Sequence, residues 1–213
     1  MYNVAISPNG KLLATPGENE VLLWDVATLH ARTALRLPTK GGRLVVFSPD
    51  GKRLAVVGED HVVYLLALDT GTILHELRGH DKLVQVLAFH PDGRRLVSAG
   101  ADLRVRLWDS VSGQLLHELA GHTMEVFGAA FNPDGTRLVT GGRDRVLRVW
   151  DVDTGKSLVW LEGHKSMIFS LVFSPNGHRL LSSSGDGTVR LWDDFPANDR
   201  PRERQEKKAP VTK

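Results

Sequence analysis

The stretch GHDKLVQVLAFHPDGRRLVSAGADLRVRLWDSVSGQLLHELA, residues 79–120, decides how this chain is read. The next stretch, GHTMEVFGAAFNPDGTRLVTGGRDRVLRVWDVDTGKSLVWLE (121–162), carries the same landmarks 42 positions later. Working outward, Trp24, Trp108, Trp150 and Trp192 fall on one 42-residue register, with Leu66 at the missing step. Gly79-His80, Gly121-His122 and Gly163-His164 keep the same interval. The turns SPNG (7–10), SPDG (48–51), HPDG (90–93), NPDG (132–135) and SPNG (174–177) are read on that register too. Several independent landmarks sharing one period mark an array of a single supersecondary unit.

Each copy reads as four short strands. Val86-Leu87-Ala88-Phe89 is an apolar run that suits a strand buried on both faces. In the Pro-Asp-Gly that follows, Pro presets the first turn dihedral, Asp stabilises the corner and Gly accepts positive φ. Arg95–Ser98 comes next, then a tight corner around Asp102. Residues 104–108, RVRLW, alternate polar and apolar, which predicts a strand with one wetter face. A turn from Asp109 to Gly113 leads to Gln114–Leu119. Short strands at this spacing with no helical period indicate an all-β protein.

The Gly-His, Pro-Asp-Gly and Trp-Asp landmarks closely resemble the WD-repeat propellers, and the resemblance covers roughly residues 1–193. It implies a β-propeller of five four-stranded repeats, approximately 1–37, 38–78, 79–120, 121–162 and 163–193. Residues 194–213 read as a disordered charged tail. Met1 to Ser7 aligns with the innermost strand of a repeat, and Trp192-Asp193 runs into Asp194-Phe195-Pro196 where a turn and outer strand belong. The expectation is a fifth sheet of three strands within an open arc of a larger propeller. Further blades of a parent protein, or a second copy of the chain, would cover its flanks.

His80, Ser98 and Asp102 fall within one repeat, and Ser-His-Asp is a familiar hydrolytic set. It recurs as His122/Thr140/Asp144 and His164/Ser182/Asp186, each followed by Trp108, Trp150 or Trp192 in its own repeat. An active site needs one nucleophile, an oxyanion hole and a cleft. Three equivalent copies read as architecture. In the family the chain resembles, these four positions form a hydrogen-bonded chain from indole through hydroxyl and imidazole to carboxylate, which satisfies polar groups buried between strands. Repeat two has Pro38, Val56 and Leu66 at three of the positions and keeps Asp60. Repeat one is read with Ala14 and Glu18 at the hydroxyl and carboxylate positions, and keeps Trp24.

Other chemistry is sparse. The chain has no cysteine, which excludes disulfides and thiol nucleophiles. It has no phosphate-binding glycine loop, HExxH motif or Asp-rich calcium loop. No cofactor or metal is expected. His75 and His117, also 42 apart, read as repeat features of outer strands. No apolar run approaches the roughly 18–20 residues of a membrane span, and MYNVAISPNG lacks the features of a signal peptide, so the expectation is a cytoplasmic protein. Residues 1–193 hold 21 Lys/Arg against 21 Asp/Glu, so the net charge of +2 lies wholly in the tail. That balance argues against nucleic-acid binding by the body.

The resemblance implies a non-catalytic scaffold that binds proteins or peptides at the face carrying the Gly-His loops and Asp corners. Its candidate rim is Leu83, Gln85 and Ala101, then Glu125, Phe127 and Arg143, then Met167, Phe169 and Gly185, with Arg43 and Glu59 from repeat two. Apolar Leu83, Phe127, Met167 and Phe169 around charged Glu125 and Arg143 suit an anchor cluster with a polar surround. The competing reading packs some of these apolar groups between blades. Two other functions stay open at this level. One is an enzyme or small-ligand site in the central channel, which unrelated propellers host. The other is a nucleic-acid-associated factor acting through Arg200, Arg202, Arg204, Lys207 and Lys208 of the tail.

Overall fold

A computed structural model of the chain describes residues 3–40 and 42–193, so the expectation for the 194–213 tail lies outside the described residues. β-strands are the only regular secondary structure described, and no helix there could cross a membrane. The chain divides into two compact units, Met1–Gly121 and His122–Lys213. The division falls inside the Gly121-His122 pair that opens repeat four, so no sheet is split.

The first unit holds three four-stranded sheets. Sheet one is β1 (Ala5–Ile6), β2 (Leu12–Pro16), β3 (Glu20–Asp25) and β4 (Ala31–Arg36). Sheet two is β5 (Val45–Phe47), β6 (Arg53–Val57), β7 (Val63–Ala67) and β8 (Ile73–Leu77). Sheet three is β9 (Val84–Phe89), β10 (Arg95–Gly100), β11 (Val105–Asp109) and β12 (Leu115–Leu119). In the second unit, sheet four is β13 (Val126–Phe131), β14 (Arg137–Gly142), β15 (Leu147–Asp151) and β16 (Ser157–Leu161). Sheet five is β17 (Ile168–Phe173), β18 (Arg179–Ser184) and β19 (Val189–Asp193), three strands within the described residues. Strands pair in sequence order and antiparallel throughout.

The turn chemistry acts as the sequence indicated. Gly10, Gly51, Gly93, Gly135 and Gly177 all have φ between 68° and 76°, a region where a side chain is strained. The aspartate or asparagine before each glycine accepts a backbone N–H across the corner, as Asp92 does from Arg94 at 2.7 Å.

Period-two alternation places the core. In sheet two, Leu54, Val56, Tyr64 and Leu66 pack against Ala14, Val21, Leu23 and Leu35 of sheet one. The intervening Ala55, Val57, Val63 and Leu65 pack against Val84, Leu87 and Leu96 of sheet three. Both faces of sheet two are therefore covered, which is why its central strands read as continuous apolar runs. Polar links reinforce this stacking. Asn3 exchanges two hydrogen bonds with the backbone of Val45, at 2.8 and 3.0 Å. Arg53 of sheet two donates to the Ser110 and Gly93 carbonyls of sheet three at 2.9 and 2.8 Å. In the second unit Val139, Leu147 and Val149 of sheet four meet Ile168, Leu171 and Leu180 of sheet five.

Two expectations are corrected. First, Ala14 does not occupy the hydroxyl position of sheet one. The turns at 7 and 48 are 41 residues apart, one short of the period, and β2 pairs with β3 so that Leu13 faces Trp24. Counting back from Trp24 therefore overshoots by one, and Thr15 takes the position. Second, β11 has no wet face: Arg106 is only 8% exposed, because acidic partners in its own sheet neutralise it.

Leu103 and Arg145 sit at φ 68° just after Asp102 and Asp144, where sheet five has Gly187 at φ 77°. A left-handed L residue costs roughly 1–2 kcal/mol. Arg145 is exposed, so little packing is lost with it. Arg145→Gly is expected to stabilise the protein by about 0.5–1 kcal/mol after the added unfolded-state entropy is counted. A urea midpoint at or below that of the parent protein would contradict this.

Candidate functional site

Three side-chain chains run through the middle of sheets three, four and five. In sheet three the Trp108 indole N–H donates to Ser98 Oγ at 2.8 Å, Ser98 Oγ lies 2.7 Å from His80 Nε2, and His80 Nδ1 lies 2.7 Å from Asp102 Oδ2. Sheet four repeats this with Trp150, Thr140, His122 and Asp144, each step 2.8 Å. Sheet five uses Trp192, Ser182, His164 and Asp186 at 2.9, 2.7 and 3.0 Å. Cross-strand register makes the chains possible: Leu96 faces Trp108, so Ser98 sits one pleat further on the same face of β10.

Proton counting settles their polarity. The indole can only donate, so the hydroxyl accepts from it and spends its own proton on Nε2. That leaves the imidazole Nδ1–H to donate to the carboxylate. Ser98 and Thr140 are 0% exposed, so neither hydroxyl can meet a substrate while its sheet is intact. The arrangement satisfies buried donors and leaves no free nucleophile.

The carboxylates close each chain against the Gly-His loop. Asp144 also accepts the Thr123 and Val146 N–H groups at 3.2 and 3.3 Å, and Asp186 those of Lys165 and Thr188 at 2.8 and 2.9 Å. Burial pushes the Asp102 carboxyl up, but hydrogen bonds from His80 and Arg106 outweigh it and hold the group down at about 2. Asp144 and Asp186 are lowered for the same reason, their own hydrogen bonds overcoming burial.

Three participants escaped the sequence reading. Arg106 Nη1 donates to Asp102 Oδ2 at 2.6 Å; it lies 2.9 Å from His80 Nδ1, but both are donors and share that carboxylate. In sheet two, where Val56 and Leu66 replace hydroxyl and indole, Tyr64 donates to Asp60 Oδ2 at 2.6 Å. Burial and this carboxylate raise the Tyr64 phenol well above its ordinary range. In sheet one, Thr15 Oγ1 accepts from the Trp24 indole at 2.7 Å. The available signal was position: Tyr64 and Arg106 both stand two residues before the Trp or Leu landmark, as do Arg148 and Arg190.

One backbone hydrogen bond recurs at the loop ends. The N–H of Ala101 donates to Leu83 O, that of Arg143 to Glu125 O and that of Gly185 to Met167 O, at 2.9, 2.8 and 2.9 Å. Each bond sets the residue before the aspartate beside a residue of the Gly-His loop. In the first unit Leu83, Gln85 and Ala101 are half-buried, Arg43 is half-buried with its N–H on Val57 O, and Glu59 is exposed. In the second unit Arg143 Nη1 pairs with Glu125 Oε2 at 3.1 Å. The Phe127 and Phe169 rings pack with centroids 6.2 Å apart and planes tilted by 43°. Phe169 nonetheless stays 45% exposed, and half-buried Met167 lies with it over Gly185. Phe127 is half-buried, so the competing packing reading describes it better than it does Phe169. His75, by contrast, is occupied structurally: its Nε2 donates to Val111 O at 2.7 Å. Among the described residues no cluster of His, Asp and Glu could hold a metal ion.

The family model described as "WD domain, G-beta repeat" matches residues 71–109, 113–151 and 155–193. The chain is a WD-repeat protein. Its matched segments begin at residue 71, so they take in only the outer strand β8 of repeat two and nothing of repeat one, the two repeats that depart most from the landmarks. The WD-repeat chain is 32% identical over 102 residues to WD repeat-containing protein VIP3 of Arabidopsis thaliana, covering 41% of this chain and 32% of that one. It is 39% identical over 77 residues to eukaryotic translation initiation factor 3 subunit I of Aspergillus terreus, covering 36% and 23%. It thus spans about a third and about a quarter of the length of these relatives. WD-repeat proteins are generally non-catalytic interaction scaffolds, with the sheets as propeller blades.

Two outcomes test the chains. Asp144→Ala should destabilise the protein by about 1–3 kcal/mol, because the His122 ring N–H and two loop amides lose their acceptor. Asp60→Ala should cost less, since it strands the Tyr64 hydroxyl and one loop amide, that of Val62, but no imidazole, at an exposed corner. Equal denaturant midpoints at matching m-values would refute the ranking. Stability should also depend on acid. The folded carboxyls of Asp102, Asp144 and Asp186 titrate below an unfolded value near 3.9, so their contribution is present above about pH 4 and lost as pH falls from there through each folded value, about 2 for Asp102. Urea midpoints compared at about pH 6 and about pH 3 should show the drop, and Asp144→Ala should flatten it.

Proposed function

We propose that this WD-repeat chain is a protein-binding scaffold whose partner docks on the loop ends of its sheets, with the Phe127–Phe169 cluster as the principal anchor. The observation that carries this reading is Phe169, a large aromatic left 45% exposed although its ring is already braced by Phe127. A braced aromatic loses little rotamer freedom on binding, which favours it as an anchor. Met167 widens the apolar surface, and the Arg143–Glu125 pair supplies a polar border. Leu83, Gln85 and Ala101 offer a smaller, half-buried counterpart in the first unit.

The relative from Aspergillus terreus is by its name a subunit of an initiation factor, which supports membership of a multi-protein assembly for this chain as well. A channel enzyme has less behind it. Every hydroxyl–imidazole–carboxylate set found lies inside a sheet, with its hydroxyl committed at both ends.

Affinity capture with quantitative mass spectrometry tests the docking face. Phe169→Asp and Arg143→Glu should each reduce recovery of the same specific partners by about tenfold, with Leu83→Asp having a smaller effect. Thermal midpoints should stay within a few degrees of the parent protein's. Undiminished recovery with Phe169→Asp and Arg143→Glu would move the site elsewhere.

A further inference from the structure

We propose that the cleft between sheets one and two, at the turns opposite the Asp corners, binds an arginine side chain carried by a partner protein. The site lies at the other end of the sheets from the loop-end cluster above and stands without it.

The neighbouring interface shows what this space holds when it is filled. Between sheets two and three, Arg53 crosses from β6, and its guanidinium donates to Gly93 O and Ser110 O at 2.8 and 2.9 Å. His75 of β8 reaches across beside it, Nε2 to Val111 O at 2.7 Å. Two polar side chains thus satisfy three carbonyls at the turns of sheet three.

Sheets one and two repeat the backbone of that interface without its fillers. Leu12 stands where Arg53 does: its carbonyl takes the Ser7 N–H, as that of Arg53 takes the Ser48 N–H. Thr33, facing Leu23, stands where His75 faces Leu65. On the other wall Leu68 replaces Ser110, each with its N–H on the residue after the turn glycine, Lys52 or Arg94. Gly51 and Asp69 match Gly93 and Val111. A cavity of about 590 Å³ is left, lined by Leu12, Leu23 and Thr33 on one side and Gly51, Leu68 and Asp69 on the other. A volume in this range suits a ligand site.

The leucines restore the stem of the missing arginine but not its head. Among the described residues no donor reaches the carbonyls of Gly51, Leu68 or Asp69, the counterparts of the three that Arg53 and His75 satisfy. Two carbonyls set for one guanidinium fork, an apolar floor for its methylenes and the exposed Asp69 at the mouth together select arginine. Neither cation on the rim bars it. Arg32 is paired with Asp25 at 3.3 Å, and Lys52 holds the position that Arg94 holds beside Arg53. Arg53 fills its own cleft as a side chain on a flanking backbone. The exposed rim of Thr33, Lys52 and Asp69 leaves an arriving chain the same approach.

The probe is the peptide DGKRLAV, residues 50–56, which carries the arginine of the neighbouring interface. Titrated to about 1 mM against the full chain with methyl-labelled leucine, it should shift the Leu12, Leu23 and Leu68 resonances saturably. Replacing its arginine by leucine should weaken binding roughly tenfold. Replacing it by lysine should weaken binding less, because an ammonium keeps the charge but not the fork. Asp69→Asn should weaken the parent peptide. Leu12→Arg supplies the missing guanidinium from within, so it should abolish binding and raise the thermal midpoint. No saturable shift, equal affinity of the leucine peptide, shifts at Leu83 in place of the three cleft leucines, or unchanged binding to Leu12→Arg would each overturn the proposal. N-acetylargininamide binding as tightly as the peptide would also overturn it, in favour of a small guanidinium compound. Should Leu12→Arg fail to fold, Asp69→Asn and the peptide exchanges on the parent protein decide.

Discussion

Ser98 sits in the middle of sheet three with no exposed surface, between the indole of Trp108 and the imidazole of His80. A hydroxyl in that place needs both a donor and an acceptor, because it has no exposed surface at which water could supply either. The indole needs an acceptor, the imidazole needs one for its second nitrogen, and the carboxylate at the end needs donors. The chain therefore cannot stop inside the sheet. It runs until Asp144 and Asp186 take backbone N–H groups of the Gly-His loop, from Thr123 and Lys165, and Asp102 takes the Arg104 N–H and the Arg106 guanidinium. Through this requirement a buried polar group in one strand dictates the loop conformation at the sheet's end. The loop ends are also where the exposed Phe169 and the Arg143–Glu125 pair are held.

Sheets one and two show how far the requirement relaxes. Sheet two exchanges hydroxyl and indole for Val56 and Leu66 together, both fully buried, so no donor is left without an acceptor. Tyr64 then gives Asp60 a partner from within the sheet. Sheet one retains only the indole-to-hydroxyl step, through Thr15. Loss of several partners at once is tolerable where loss of one is not, and the remaining polar groups re-pair locally. Arg106 marks the opposite case. Its charge is kept inside the sheet only because Asp102 and Glu118 approach it from two strands.

The sequence by itself determined a good deal. The 42-residue register, the left-handed turn glycines and the apolar runs identify an all-β repeat array and place its strands within a residue or two. These features are legible because they are local: a turn dihedral or a pleat is set by residues a few positions apart. The grouping of His80, Ser98 and Asp102 was legible for another reason, since repetition made separations of 18 and 22 residues visible three times over.

Tertiary structure decided the rest. One residue missing between the first turn and Trp24 shifts the hydroxyl position from Ala14 to Thr15, and only strand pairing reveals where the shortening is absorbed. Whether alternation along RVRLW meant a wet face depended on Glu118, which belongs to a different strand. Phe127 and Phe169 lie 42 residues apart on different sheets, so their ring contact, with Phe169 left 45% exposed, exists only once those sheets pack together. Arg148 carries the same letter as Arg106 in an equivalent position, yet it faces Trp160 where Arg106 faces Glu118. What separates them is a neighbour across the ladder, and cross-strand neighbours are a property of the folded sheet that no local pattern encodes.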